Sequence, residues 1–142
     1  MWVAFLAVIG GSLSGLQAAL NGRLGHLTGT VQAVLISITT SMVAILVIAT
    51  LTRTWGLMPR IASIPAVLFA GGLAGLAFVF AITWITPILG VTSTLVLTIL
   101  GQLTIGLILD HFGILREAAV PVTPWRMLAV LLVVLAAYLS KR

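Results

Sequence analysis

Ile64–Leu109 reads IPAVLFAGGLAGLAFVFAITWITPILGVTSTLVLTILGQLTIGLIL and contains no Asp, Glu, Lys, Arg or His. At about 1.5 Å of rise per residue one helix of this length would measure roughly 69 Å, more than twice the ~30 Å hydrocarbon core of a bilayer. The run must therefore fold back within lipid. Thr86-Pro87-Ile88-Leu89-Gly90 is the expected break, since proline removes a backbone donor and glycine tolerates a turn. This predicts a third membrane span over 64–85, a tight hairpin, and a fourth span over 91–109.

The same ruler divides the rest of the chain. A first span covers 3–20 and ends at Asn21-Gly22-Arg23; a second covers 31–51, before Arg53 and an interfacial group of Trp55, Pro59 and Arg60. Asp110-His111-Phe112-Gly113 closes the fourth span, and Arg116, Glu117, Pro121 and Pro124 mark a polar connection. The fifth span, 122–139, is short. Trp125 and Tyr138 at its ends suit the aromatic belts, and Arg126 is expected to snorkel toward the interface. The fold class is all-α multi-pass membrane protein, one five-helix transmembrane domain over 1–142.

Composition supports lipid as the solvent: 61% of residues are hydrophobic and 6% charged, with a mean hydropathy of +1.31, against roughly 25% charged in soluble domains. The net charge of +5 comes from seven scattered basic residues, each at or near the end of an apolar run, which reads as membrane flanks and not as a nucleic-acid patch. There is no cysteine, hence no disulfide framework or thiolate chemistry. The N-terminal run lacks a basic leader and a small-residue cleavage site, and is expected to be a mature helix.

With five spans, Arg53, Arg60, Arg116 and Arg126 fall on one side of the membrane and Arg23, Lys141 and Arg142 on the other. Four against three gives the positive-inside rule almost nothing to act on, so both orientations are expected. An odd number of helices inserted both ways lets two copies pair about a two-fold axis in the membrane plane, the inverted plan of many transporters built from two chains.

Polar side chains inside the spans are the candidate site, because each is costly in lipid unless paired or facing a cavity. Gly10, Ser14, Gln17 and Asn21 are spaced by four, three and four along one helical face, and Gly11 and Gly15 add a small-residue pair. Ser37, Thr40 and Ser41 share a face of the second span but read as hydroxyls bonding their own helix. Gly71 and Gly75 form a packing surface in the third span, and Trp84 lies near its end, as an aromatic-belt residue or a substrate wall. Thr94, Thr98 and Gly101 accompany Gln102, the strongly polar side chain deep in the fourth span. Asp110 sits at the membrane edge, a candidate for coupling or gating or a helix-end residue bonding its local backbone; no carboxylate occupies mid-membrane. His26 and His111 are too few and too far apart for a metal site, and no nucleophile–base set or phosphate loop is present. Neither an enzyme nor a cofactor is expected.

Gly11-Ser12-Leu13-Ser14-Gly15-Leu16-Gln17 through Asn21, Gly71-Gly72-Leu73-Ala74-Gly75, Leu89-Gly90-Val91-Thr92-Ser93-Thr94, and above all Gly101-Gln102-Leu103 through Asp110-His111-Phe112-Gly113 resemble the YdcZ-like family of small bacterial inner-membrane proteins in the drug/metabolite transporter superfamily. The resemblance spans essentially the whole chain. It implies a five-helix half of a ten-helix transporter, working as two oppositely oriented subunits. The related small multidrug resistance proteins carry a membrane-embedded glutamate in their first helix for proton exchange against cationic drugs; here that helix offers Gln17, which cannot titrate. Neutral or zwitterionic solutes, or facilitated passage, are the expectation in its place.

Two readings follow. One is a transporter of a small organic solute, with Gln17, Asn21, Gln102, Ser14, Thr98 and Trp84 around the solute in an antiparallel homodimer, a paralogue being the other conceivable partner. The other is a non-transporting scaffold or obligate partner subunit, whose polar faces serve contact alone.

Overall fold

The computed structural model describes residues 2–57, 64–114 and 119–140. Among these residues the regular structure is helical. It comprises α1 (Trp2–Thr28), α2 (Thr30–Leu51), α3 (Ala70–Leu89), α4 (Val91–Phe112) and α5 (Pro124–Leu139), with 3-10 turns at Thr54–Leu57 and Ala66–Phe69. The first two helices, the continuous run Ala66–Leu89 and α4 are each long and apolar enough to cross a membrane. The fifth, at 16 residues, reaches only about 24 Å. Arg60, Arg116, Lys141 and Arg142, which enter the orientation argument, lie outside the described residues, as do Pro59 and Glu117.

The chain divides into two compact units, Met1–Ile88 and Leu89–Arg142. In the first, α1 and α2 form an antiparallel hairpin that turns on Gly29, whose φ of 95° suits a residue without a side chain. The turn is held by Gly29 N–H donating to the Gly25 carbonyl at 2.9 Å, and by Ala33 N–H donating to the Gly29 carbonyl at 3.0 Å. Deeper in the hairpin Asn21 Nδ2 donates to Ser37 Oγ at 3.1 Å, and Asn21 is buried. The helix α3 approaches α1 where α1 has no side chains: a Cβ on Gly22 would lie 2.9 Å from Thr86 Cγ2, and one on Gly25 3.0 Å from Thr83 Cγ2.

The second unit is also an antiparallel hairpin. Gly90 (φ 78°) precedes α4, and Gly113 (φ 63°) ends it in the left-handed conformation, with Ile114 N–H donating to the Leu109 carbonyl at 2.9 Å. Thr123 caps α5, with Pro124 in the first turn where its missing N–H costs nothing. The two helices are pinned at both ends: Ser93 Oγ donates to the Ser140 carbonyl at 2.7 Å, and Arg126 Nη1 pairs with Asp110 Oδ2 at 3.0 Å.

Three sequence expectations shift. The first helix does not stop at Asn21-Gly22-Arg23 but continues to Thr28. The asparagine amide finds its partner on α2 and the glycine admits α3, so neither needs to break the helix. The third helix passes through Pro87 to Leu89 despite the backbone donor lost there, and the interruption falls at Gly90. Arg126 points to Asp110, not to the interface alone.

The buried apolar residues among those described are few and mostly small: Ala18, Ala33, Val34, Val79, Ile82 and Ala137. Large apolar side chains such as Leu16, Leu35, Ile45, Leu73, Ile105 and Leu131 face outward, a surface fit only for lipid or another helix. Thr86 Oγ1 is buried without a hydrogen-bond partner among the described residues.

Gly22→Ala is expected to lower the stability of the chain by about 1–3 kcal/mol through overpacking against Thr86, whereas Gly71→Ala, where a Cβ meets nothing within 4 Å, leaves the isolated chain unaffected. Thr86→Val removes an unsatisfied hydroxyl and is expected to leave stability unchanged or raise it by about 1 kcal/mol. Reversible unfolding in mixed detergent measures all three.

Candidate functional site

In the first unit the polar face anticipated on α1 lies opposite hydroxyls of α2. Gln17, Asn21, Ser37, Thr40 and Ser41 share an open groove of about 440 Å³. The hydroxyls of Thr40 and Ser41 donate to the Ile36 and Ser37 carbonyls at 2.8 and 3.0 Å, so they satisfy themselves on their own helix and leave the Gln17 amide as the group best placed to select a ligand. Asn21 is committed to Ser37. Gln17 is half-buried in the groove, while Ser14, half-buried one turn earlier, is outside its lining.

In the second unit Gln102 and Asp110 line one groove of about 220 Å³ with Arg126, and Leu103, Leu107 and Val130 supply apolar walls. Gln102, Gly106 and Asp110 are spaced by four along α4 and so share a face. A Cβ on Gly106 would meet nothing within 4 Å, so space is left between the amide and the carboxylate. Thr98 bonds back to the Leu95 carbonyl at 2.9 Å and is not in this groove. Trp84 belongs to the first unit and is exposed.

The sequence brings Gln17 to Asn21 and Gln102 to Asp110, in separate units. It does not by itself single out Ser37 as the partner of Asn21 or Arg126 as that of Asp110. Both pairings were accessible from antiparallel geometry: positions 21 and 37 are equidistant from the turn at Gly29, and Asp110 ends one helix close to where Arg126 begins the next. Among the described residues, nothing beyond the local helix lies within 4 Å of a Cβ added at Gly11, Gly71 or Gly75, while Gly22 and Gly25 pack closely against α3 within the first unit. No group of three His, Cys, Asp or Glu that could hold a metal ion occurs among the described residues.

A family model described as "Putative inner membrane exporter, YdcZ" matches residues 2–139. No curated protein and no solved structure matches the chain.

Removing one member of the Asp110–Arg126 pair takes away the 3.0 Å ion pair that ties α4 to α5. With side-chain exposures of 39% for Arg126 and 27% for Asp110, the cost falls between that of a surface pair and a buried one. Arg126→Leu is expected to destabilise by about 1–3 kcal/mol, and the double change Asp110→Leu/Arg126→Leu by less than Arg126→Leu alone. A double-mutant cycle in detergent unfolding tests this; purely additive effects would show that the pair carries no coupling.

Proposed function

The chain belongs to the YdcZ family of inner membrane exporters, and from that premise we propose that it is a transporter subunit moving a small organic solute across the bacterial inner membrane as an inverted homodimer of ten helices. The observation that carries this reading is Gln102, which lies at the middle of α4 yet is exposed in the single chain. A primary amide has two donors and an acceptor to satisfy, and acyl chains offer nothing to them. A second copy is the economical cover. It would also use the unoccupied glycine faces at Gly11, Gly71 and Gly75, and the near-balance of flanking charge favours its being inverted.

In this dimer Gln17, Asn21 and Gln102 of both subunits, with Ser14, Thr98 and Trp84 nearby, surround the solute, and Asp110 gates the path at the membrane edge. Two identical inverted subunits make the inward-open and outward-open states equal in energy, so rocking one against the other alternates access without a preferred resting side.

Because the chain has no cysteine, Thr28→Cys at the α1–α2 turn gives a single thiol. An impermeant maleimide is expected to label about half of the protein from each side of the membrane; labelling from one side only contradicts the inverted arrangement. In proteoliposomes screened with a metabolite mixture, Gln102→Ala is expected to reduce uptake of the transported solute about tenfold, on the order of one to two lost hydrogen bonds, while dimerisation is retained. Unchanged uptake removes Gln102 from the path.

A further inference from the structure

The helix α1 is 27 residues long and so measures about 40 Å, roughly 10 Å more than the hydrocarbon core. Its C-terminal end therefore reaches headgroup depth. Arg23 and His26, about 12 and 17 Å from the helix midpoint, straddle the roughly 15 Å half-thickness of that core. One crossing separates α1 from α3, so the C-terminal ends of both emerge on the same side. There Gly22, Arg23 and His26 of α1 share a groove of about 230 Å³ with Thr86 and Pro87 of α3. Arg23 and His26 are exposed. Thr86 is 5% exposed, and its Oγ1 has no hydrogen-bond partner among the described residues.

Two basic side chains line this groove, and the unit that forms it has no acid to answer them. Asp110 and Glu117 are the two carboxylate side chains of the sequence, and both lie beyond the first unit, Met1–Ile88. A counter-charge for Arg23 must come from outside that unit. At this depth the abundant anion is the lipid phosphate, and basic pockets between transmembrane helices are a recognised host for anionic headgroups. The guanidinium fork matches phosphate oxygens in geometry as well as charge. Spacings of three and four put Leu20, Arg23 and Leu27 on one face of α1, and both leucines are exposed, so apolar surface for acyl chains flanks the cation. A soluble phosphate would leave that surface bare. A zwitterionic headgroup would bring an ammonium for which the groove has no carboxylate.

We propose that the groove between the C-terminal ends of α1 and α3 is a binding site for the phosphate of an anionic phospholipid, with Arg23 and His26 on the phosphate oxygens and Thr86 turning its unspent hydroxyl to the same group from the buried side. At about 230 Å³ the groove is smaller than the ~300 Å³ at which pockets for drug-sized ligands begin, which suits a headgroup phosphate whose acyl chains lie outside along Leu20 and Leu27. The site is independent of the transporter reading, since lipid binding here needs no flux.

The test uses the purified full chain in uncharged detergent and three probes: dioleoyl-phosphatidylglycerol, dioleoyl-phosphatidylcholine, which has the same acyl chains on a zwitterionic headgroup, and inorganic phosphate, which has no acyl chains. Phosphatidylglycerol is expected to raise the thermal unfolding midpoint saturably, phosphatidylcholine to bind about tenfold more weakly, and inorganic phosphate at the same concentration to leave the midpoint unchanged. Arg23→Gln is expected to weaken phosphatidylglycerol binding about fivefold, and Thr86→Val about threefold. Arg53→Gln removes the same charge from the same unit outside the groove and is expected to leave binding unchanged. His26→Gln, expected to weaken binding about threefold, carries the test if Arg23→Gln fails to fold. The proposal is overturned if no probe binds, if phosphatidylcholine or inorganic phosphate stabilises as well as phosphatidylglycerol, if Arg23→Gln and His26→Gln both bind phosphatidylglycerol unchanged, or if Arg53→Gln weakens binding as much as Arg23→Gln, which would mark a diffuse attraction to surface charge.

Discussion

A polar side chain inside a bilayer must find its hydrogen bonds in protein, because the surrounding acyl chains have none to give. That constraint organises the whole chain. The apolar surface gives the helices no preference for each other over lipid, so specificity in each unit falls to a few polar ties and to glycines that allow close approach. Asn21 with Ser37, and Thr83 and Thr86 against Gly25 and Gly22, define the first unit. Ser93 with Ser140, and Asp110 with Arg126, define the second.

The same constraint marks what one chain leaves incomplete. Gln102 is exposed at mid-helix and Gln17 is only half-covered. Among the described residues, Gly11 on α1 and Gly71 and Gly75 on α3 have no neighbour outside their own helix within 4 Å of an added Cβ. On the proposed reading these are the surfaces that a second, inverted copy and a solute share, and a site made from uncharged amides with one compensated ion pair suits cargo without net charge. Family membership supports export across the inner membrane.

Much of the fold was legible because hydropathy in a membrane protein is a direct record of burial in lipid. The charge-free run from Ile64 to Leu109 was too long for one span, and the helix is interrupted at Gly90. Helix ends were less legible. Asn21-Gly22-Arg23 looks like a stop in a sequence, yet the asparagine is satisfied sixteen residues away by Ser37, a long-range bond no local signal carries. Pro87 looks like a breaker, yet α3 continues through it to Leu89. In the candidate site, the spacing of Gln17 and Asn21 and the isolation of Gln102 were visible from residue type and period alone. The role of Arg126 was not: a basic residue at the start of an apolar run ordinarily snorkels, and only the proximity of two helix ends turns it toward Asp110.

The central claim is that the exposed amides are covered by a second copy facing the other way. A spin label on Thr28→Cys, at one end of α1, reports this directly as the distance between two labels in the reconstituted dimer. Inversion places the labels on opposite faces of the membrane, at or beyond the ~30 Å thickness of the hydrocarbon core. A single shorter distance, with both labels on one face, would contradict the account.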